Sequence, residues 1–190
     1  MKKSIGPKTV AYPLPAYLVG TYDELDASNI MTAAWGGILS SDPPTIGVSV
    51  RASRHTFDGI IKNKAFTVSF PPAKMVVAVD YAGIVSGKTS DKFKTCSLTP
   101  VPSTLVKAPY VQECPVVAEC KLHKTLELNS HVLFVGQILN ILVEEALETE
   151  GDLDILKVDP IIFSGSAYYR VGAFLGKAFS IGKKFFKKGD

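Results

Sequence analysis

The amino-acid sequence predicts a mostly β domain, a largely antiparallel barrel of Greek-key type with helices at its edge. Most of its strand-like runs are linked by turns or loops, which suits antiparallel pairing. Two short helices are predicted, and they do not recur in the regular alternation typical of a doubly wound sheet. With 190 residues, the chain is long enough for one domain with a continuous core, and we expect residues 1–190 to form it.

Short β-compatible runs and chain-breaking residues alternate in the first quarter of the chain. Residues 16–21 lie between prolines and the polar turn 23–28, which predicts an extended strand. Residues 29–35 form a short apolar run, and residues 45–50 alternate after the breakers at 40–44. These runs predict the second and third strands.

Two helices and one further strand are predicted next. Thr56 is expected to cap a short helix that ends near Asn63. The β-rich run 65–70 then predicts a strand. A second helix is predicted over residues 74–84, because its apolar residues fall on one face, and we expect it to end near Ser86.

The second half of the chain predicts a long hairpin. Prolines divide residues 91–115, which indicates loops and short edge strands. Residues 116–128 alternate between apolar and polar, whereas residues 132–143 are almost all apolar and predict a strand covered on both faces. We expect these two strands to pair with each other.

Residues 172–190 mix aromatic side chains with lysines, a pattern typical of a basic amphipathic helix. Such a segment can lie on an anionic membrane surface. It can also pack its aromatic side chains on the barrel or on a partner subunit and leave its lysines in water. We favour the second interpretation.

The composition excludes few classes of protein. The net charge is +3 and opposite charges are interspersed, so no nucleic-acid partner is indicated. Prolines follow the lysines of residues 1–9, which argues against a signal peptide. Prolines and charges interrupt every apolar stretch before it reaches the length of a transmembrane helix. We therefore expect a cytoplasmic protein without a transmembrane segment.

The three cysteines, Cys96, Cys114 and Cys120, include no C-x-x-C pair that would indicate a zinc or thioredoxin-like site. We expect inert thiols in the core, and no metal site is predicted. A redox role for Cys114 and Cys120 stays open, because the sequence does not show how close they lie.

An anion site is indicated where the third strand ends and the first helix begins. This segment, residues 49–56, reads S-V-R-A-S-R-H-T. Arg51 and Arg54 offer planar sets of N–H donors, and Ser53 and Thr56 add hydroxyls. The helix N-terminus contributes main-chain N–H groups and the positive end of its dipole. The sequence therefore predicts a phosphate-binding site here, although G-x-G-x-x-G, P-loop and G-x-S-x-G motifs are absent.

Four segments in order resemble the flavin reductase-like FMN-binding proteins, and most closely their flavoredoxin branch. They are N-I-M-T-A-A-W at residues 29–35, the segment 49–56, S-G-x(4)-K-F at residues 86–93, and N-S-H-V-L-F-V-G-Q-I at residues 129–138. Their order and spacing extend the resemblance over most of the chain.

This resemblance implies an FMN-binding split barrel that forms a homodimer, with flavin sites near the subunit interface. The residues that would line the isoalloxazine ring are Asn29, Met31, Thr32, Ala33, Ser49, Val50 and Arg51. Those that would surround the ribityl chain and the phosphate are Arg54, His55, Thr56, Ser86, Gly87 and Lys92. His131 would lie near the flavin face that is open to the reductant, as the candidate catalytic residue. Asn129 and Ser130 precede it here, where the family often has Gly-Asp.

The resemblance implies an FMN-dependent oxidoreductase whose electrons come from NAD(P)H or from a small redox protein. Because the cofactor carries the redox chemistry, no nucleophile or acid–base pair is required of the protein. Two alternatives stay open: a non-catalytic FMN-binding sensor or carrier, and a membrane-surface or nucleic-acid binder that uses the C-terminal lysines.

Overall fold

The computed structural model describes residues 1–149 and 152–186. Its strands, in chain order, are β1 (Leu14–Pro15), β2 (Tyr17–Tyr22), β3 (Ser28–Ala33), β4 (Gly36–Ser41), β5 (Pro44–Val50), β6 (Ala65–Phe70), β7 (Pro100–Pro102), β8 (Pro109–Val111), β9 (Val116–Leu128), β10 (His131–Val143), β11 (Glu148–Thr149), β12 (Asp152–Leu153), β13 (Ile161–Ser164) and β14 (Ala167–Arg170). Its α-helices are α1 (His55–Asn63), α2 (Val76–Ile84), α3 (Lys92–Thr95) and α4 (Ile155–Val158). Short 3-10 helices lie at Ala73–Met75, Glu145–Leu147 and Ile181–Phe185.

The largest sheet is antiparallel and has the strand order β3–β2–β6–β9–β10–β5–β4. Its two outermost strands, β3 and β4, follow one another in the chain and are joined only by Ala34 and Trp35. The two edges of the sheet therefore meet at this link, and β3 comes to lie beside β5. The sheet closes on itself as a barrel that is split where β3 parts from β4, which confirms the predicted split-barrel class.

Hydrophobic side chains cover β2 and β3 on both faces. Val19 and Met31 point into the barrel, where they join a core that includes Phe66 and Phe134. The alternate residues, among them Ile30, pack in a second core beneath α2, α3 and β13. Because successive side chains of a strand point to opposite faces, the same two strands hold both cores together.

Most of the predicted elements are confirmed. Strand β6 covers residues 65–70 as predicted, and β2 and β5 lie at the predicted positions within one residue. Strands β9 and β10 form the predicted hairpin, with irregular register between Val135 and Gly136 and between Ile138 and Asn140. A 3-10 turn followed by α2 occupies the predicted second helix.

Three local predictions are wrong or incomplete. Thr56 does not cap α1: Arg54 holds that position without a side-chain cap, and Thr56 lies inside the helix. The predicted strand 29–35 ends at Ala33, and β4 follows it without having been predicted. Helix α3 also lies in a stretch predicted as loop and edge strand.

Strand β10 is not covered on both faces within one chain. Phe134 and Gly136 are buried, but Leu139 and Ile141 are 42% and 45% exposed. On the facing strand, Leu126 is also exposed. The apolar run therefore has one face in the core and leaves apolar side chains on the other.

The C-terminal segment does not form the predicted amphipathic helix where the structure describes it. Residues 172–186 contain a 3-10 turn and no α-helix. Phe174, Leu175 and Phe179 are exposed, so they do not pack on their own barrel. Packing on a partner subunit is the part of that prediction that remains. The last four residues of the predicted tail lie outside the described residues.

Among the described residues, no helix is both long enough and apolar enough to cross a membrane.

Candidate functional site

A cleft of about 250 Å³ opens at the split of the barrel. Its walls come from the end of β3 and the link to β4, from the end of β5, from the residue before α1 and from the start of β10. The lining residues are Met31, Thr32, Ala33, Ala34, Trp35, Ser49, Arg51, Arg54 and His131. Three stretches of sequence, residues 31–35, residues 49–54 and His131, therefore meet at one place, because the sheet curls until its edges touch.

Strand β3 forms the wall of this cleft that carries no charged side chain. Met31 and Ala33 are buried, and the Thr32 hydroxyl donates a hydrogen bond to the main-chain carbonyl of Val79 in α2. Because β3 is an edge strand, one side of its backbone is paired with no strand in the described part of the chain. Main-chain N–H and C=O groups on such an edge are available to a ligand.

Arg54 places a guanidinium group at the other end of the cleft. It is the N-cap residue of α1, and its Nη2 donates a hydrogen bond to the main-chain carbonyl of Gly83 near the end of α2. A guanidinium has five N–H donors, so this contact leaves others for an anionic ligand. Arg51 also lines the cleft but is exposed at its mouth.

Lys92 is a buried cation close to Arg54. Its ammonium donates hydrogen bonds to the carbonyls of Ile30 and Ala82, at 2.8 and 3.0 Å. Burial, and then the positive charge of Arg54, lower the pKa of Lys92 to about 8. Within the described residues, main-chain carbonyls rather than carboxylates accept the hydrogen bonds of both cations. An anion placed beside them is therefore electrostatically favoured.

A second group of predicted site residues is held together by hydrogen bonds and close packing. The Asn29 amide donates to the Thr56 hydroxyl at 2.8 Å, and His55 Nε2 lies 3.4 Å from an Asp23 carboxylate oxygen. A side chain at Gly87 would collide with this group, because its Cβ would lie 2.1 Å from Asn29 Oδ1 and 2.6 Å from His55 Cδ2. His55 Nδ1 is buried without a hydrogen-bond partner among the described residues, and a ligand could supply one.

His131 and Trp35 stand together at the mouth of the cleft. Their rings are 4.7 Å apart between centroids, with an angle of 35° between the planes. The Ser130 hydroxyl lies 2.8 Å from His131 Nδ1. Burial and the nearby charge of Arg51 lower the pKa of His131 below its ordinary value. These effects favour the neutral imidazole, which can donate or accept a hydrogen bond.

The structure gathers the predicted site residues at two neighbouring places. Those that line the cleft are Met31, Thr32, Ala33, Ser49, Arg51, Arg54 and His131. Those grouped beside it are Asn29, His55, Thr56, Gly87 and Lys92, and two predicted residues belong to neither place. Val50 is 1% exposed and faces the barrel interior, so its side chain is not part of the wall predicted for it. The Ser86 hydroxyl accepts a hydrogen bond from the Lys88 N–H in the turn after α2 and is not among the lining residues. Ala34 and Trp35 line the cleft although neither was predicted as a site residue. Both belong to the N-I-M-T-A-A-W motif that also contains Asn29 and Met31, and this motif could have identified them as site residues.

The cysteines do not form a redox pair. All three are unpaired. Cys114 packs in the second core beneath α2, α3 and β13, whereas Cys120 points into the barrel. Burial raises the pKa of the Cys120 thiol to about 12 and raises that of Cys114 as well. Both thiols therefore stay protonated at neutral pH, as expected for inert core cysteines.

The split barrel, its uncharged cleft wall and its two neighbouring cations, the half-buried Arg54 and the buried Lys92, define a class of protein. The chain belongs to the flavin reductase-like family, whose domain model matches residues 9–172. The general activity that this membership supports is flavin binding with electron transfer or flavin reduction.

Solved structures place the chain more narrowly within the family. It is similar to the flavoredoxin of Desulfovibrio vulgaris (Miyazaki F), with 49% identity, a TM-score of 0.92, and coverage of 96% of this chain and 100% of that one. The flavoredoxin of Methanosarcina acetivorans is 34% identical, with a TM-score of 0.90 over 97% of this chain and 99% of that one. An FMN-binding protein from Thermus thermophilus is 26% identical, with a TM-score of 0.76 over 93% and 99%. The resemblance to the flavoredoxin branch is thus confirmed.

Proposed function

We propose that the chain binds FMN in the cleft at the split of the barrel and acts as an FMN-dependent oxidoreductase. The observation that carries this proposal is a pair of neighbouring cations beside an uncharged wall: Arg54 lines the cleft opposite β3, and Lys92 is buried close to Arg54. A flavin mononucleotide has the matching polarity, with a flat tricyclic ring at one end and a dianionic phosphate at the other. The name of the Thermus thermophilus relative, an FMN-binding protein, supports FMN over other flavins.

The residues of the cleft suit the two ends of FMN differently. The ring would lie along β3 at Met31 to Ala33, where a strand edge presents main-chain groups to its polar rim. The phosphate would take hydrogen bonds from Arg54 and Lys92 and from His55 Nδ1, which is buried without a partner among the described residues. When bound, FMN supplies the redox chemistry, and the protein supplies its orientation and its electrostatic surroundings.

His131 and Trp35 stand where an electron donor would approach. A neutral imidazole beside the flavin can hydrogen-bond a donor without adding a positive charge. NAD(P)H and a small redox protein are the two classes of donor that we propose. His131 would position the donor, and its replacement by Ala would slow reduction without weakening FMN binding.

The first test is a spectral titration of the flavin-free protein with FMN, followed by NADH and NADPH under anaerobic conditions. Saturable binding followed by bleaching of the flavin band would support a reductase that uses a nicotinamide donor. Binding followed by reduction only with a reduced redox protein would support an electron carrier of the flavoredoxin type. Binding with slow reduction by every donor would favour the alternative, a non-catalytic FMN carrier or sensor. Failure of FMN to bind would refute the proposal.

We also propose that the protein is a homodimer. Apolar side chains are exposed on the outer face of the β9–β10 hairpin, at Leu126, Leu139 and Ile141. The exposed Phe174 and Leu175 of the C-terminal segment add to the uncovered apolar surface. Such surfaces are typical of interfaces between subunits. Sedimentation equilibrium tests this: Leu139→Asp together with Ile141→Asp would give a monomer, whereas a wild-type chain that is already monomeric would refute the dimer.

Cys96 is unpaired and partly exposed, and free thiols of this kind persist in reducing compartments. We therefore propose a cytoplasmic location. Cell fractionation with an antibody against the chain tests it.

A further inference from the structure

A second cavity lies on the outer face of the barrel. It adjoins the cleft proposed for FMN, here called the flavin cleft. It has a volume of about 530 Å³ and lies between residues 8–11 of the N-terminal segment and strands β4, β5 and β10. Trp35 and Ser49 line both this cavity and the flavin cleft. A ligand in the second cavity would therefore share a wall with the site proposed for FMN.

The lining of this cavity, here called the outer cavity, suits an uncharged ligand. Val10, Leu14, Leu39 and Leu133 are among its apolar residues. Among the described residues that line it, Lys8 alone carries a charge, and it is exposed to water. A nucleotide would find a single solvated cation here, whereas Arg51, Arg54 and Lys92 all lie on the flavin side. Its volume lies within the range of about 300–1,000 Å³ that is usual for small-molecule sites.

Glycines give the outer cavity a flat floor. Gly37 and Gly47 are directly opposite each other in the β4–β5 pairing, and both line the cavity. The Cδ1 atoms of Leu39 and Leu133 cover Gly47, since a Cβ there would lie 2.7 and 3.0 Å from them. A Cβ at Gly37 would meet nothing within 4 Å, so the open backbone at Gly37 beside these leucines offers a flat ring a surface to lie on.

We propose that the outer cavity binds an uncharged planar ring compound of the quinone class. Binding itself does not need flavin and so goes beyond the proposed function. A quinone reduced there would gain two electrons and two protons, which reduced FMN supplies as it becomes oxidised FMN, and would leave as the hydroquinone. That step, unlike the binding, rests on the proposed function.

The chain contains one tryptophan, and this residue lines the outer cavity, so intrinsic fluorescence reports on the site. The experiment titrates menadione, a naphthoquinone, into the full-length protein with and without saturating FMN and follows Trp35 emission. We expect saturable quenching at similar menadione concentrations in both forms, corrected for absorption by measurements on free tryptophan.

Gly37→Leu is the variant that tests the location. A Cβ at Gly37 would meet nothing within 4 Å and Gly37 lines the cavity, so a leucine side chain there would extend into the cavity. Menadione should bind about tenfold more weakly or worse, while the FMN dissociation constant stays unchanged. Gly172→Leu is the matched control, because a Cβ there also meets nothing within 4 Å and Gly172 does not line the cavity. Removing residues 1–11, which supply one wall, should also weaken menadione binding.

Three results would overturn the inference. One is menadione binding that is equally strong in Gly37→Leu and in wild type. A second is competition between menadione and FMN, which would place the quinone in the flavin cleft. The third is loss of quenching in proportion to dimer formation, measured by sedimentation, which would show that a second copy of the chain covers the cavity. A protein that binds menadione but not FMN would refute the proposed function and leave this inference standing.

Discussion

Replacing Arg54 by Ala should weaken the binding of FMN and leave that of riboflavin unchanged. The two flavins share the isoalloxazine ring and the ribityl chain, and they differ by the phosphate. Arg54 lines the cleft, and its Nη2 donates a hydrogen bond to the Gly83 carbonyl. Since that contact leaves most of the guanidinium donors for a ligand, a role in phosphate binding predicts an effect specific to FMN.

The size of the effect follows from the kind of contact. A hydrogen bond between charged groups contributes about 1.5–3 kcal/mol, so losing one such bond should raise the FMN dissociation constant about 10- to 100-fold. Arg54→Ala also loses one hydrogen bond to a main-chain carbonyl, which lowers the free energy of unfolding by roughly 1 kcal/mol. For a chain of this length, that corresponds to a fall in Tm of about 2–4 °C.

Flavin fluorescence quenching measures both dissociation constants, and differential scanning calorimetry measures Tm. Arg170→Ala is the control, because Arg170 is an exposed arginine that pairs with Asp159 at 3.2 Å and does not line the cleft. Equal weakening of FMN and riboflavin in Arg54→Ala would show that Arg54 shapes the cleft and does not hold the phosphate. No weakening of either flavin would place the phosphate elsewhere.

Three further predictions concern Lys92, Gly87 and Glu119. Burial and Arg54 lower the pKa of Lys92 from 10.5 to about 8, so between these two pH values the unfolded chain binds more protons and the contribution of Lys92 to the free energy of unfolding rises with pH. FMN affinity should instead fall as the pH rises through 8, because Lys92 then loses its charge. Lys92→Met should remove the pH dependence of both the free energy of unfolding and the FMN affinity, measured from pH 6.5 to 9.5. A fall in FMN affinity that persists in Lys92→Met would contradict this. Gly87→Ala should destabilise the fold by about 1–3 kcal/mol and weaken FMN binding, because its Cβ would lie 2.1 Å from Asn29 Oδ1, whereas Gly37→Ala should change the Tm little. Glu119 is 1% exposed and accepts hydrogen bonds from Ser103 Oγ and Asn140 Nδ2, so Glu119→Gln, which turns one acceptor into a donor, should cost roughly 1–3 kcal/mol on chemical denaturation with FMN affinity intact.

The strands that the sequence predicted best are those whose pattern is local. Strand β6 reads Ala-Phe-Thr-Val-Ser-Phe, rich in β-branched and aromatic residues, and it is bounded by a helix and by two prolines. Strand β9 alternates between apolar and polar residues and pairs with the run that follows it after a two-residue turn. In both cases short-range chemistry agrees with the final pairing, so no knowledge of distant segments was needed.

The elements that were missed depend on tertiary contacts or on short signals. Strand β4 begins with two glycines and carries little β propensity of its own, so it is its pairing with β5 that makes it a strand. Helix α3 has only four residues, although Asp91 caps it by accepting a hydrogen bond from the Lys94 N–H, which was a usable signal. The outer face of β10 misled the prediction because apolar residues there are exposed in the single chain.

The candidate site was predictable in its residue types and not in its electrostatics. A motif can show that Arg54 and Lys92 belong near a phosphate, but it cannot show that both bind carbonyls at one end of α2. That geometry depends on how α2 lies across β3, and the Thr32 hydrogen bond to Val79 is one of the contacts that hold it there.

Main-chain carbonyls, and not carboxylates, accept the hydrogen bonds of Arg54 and Lys92, so both cations remain able to bind an anion. The C-terminal end of a helix carries a partial negative charge, which eases the burial of Lys92 and Arg54 beside it. A carboxylate would neutralise the pair fully and occupy the space that a phosphate needs. Carbonyls stabilise the cations only in part, so burial and the charge of Arg54 still lower the pKa of Lys92. The same arrangement predicts that a carboxylate introduced on the cleft wall, as in Thr32→Asp, would pair with these cations and abolish the difference in affinity between FMN and riboflavin.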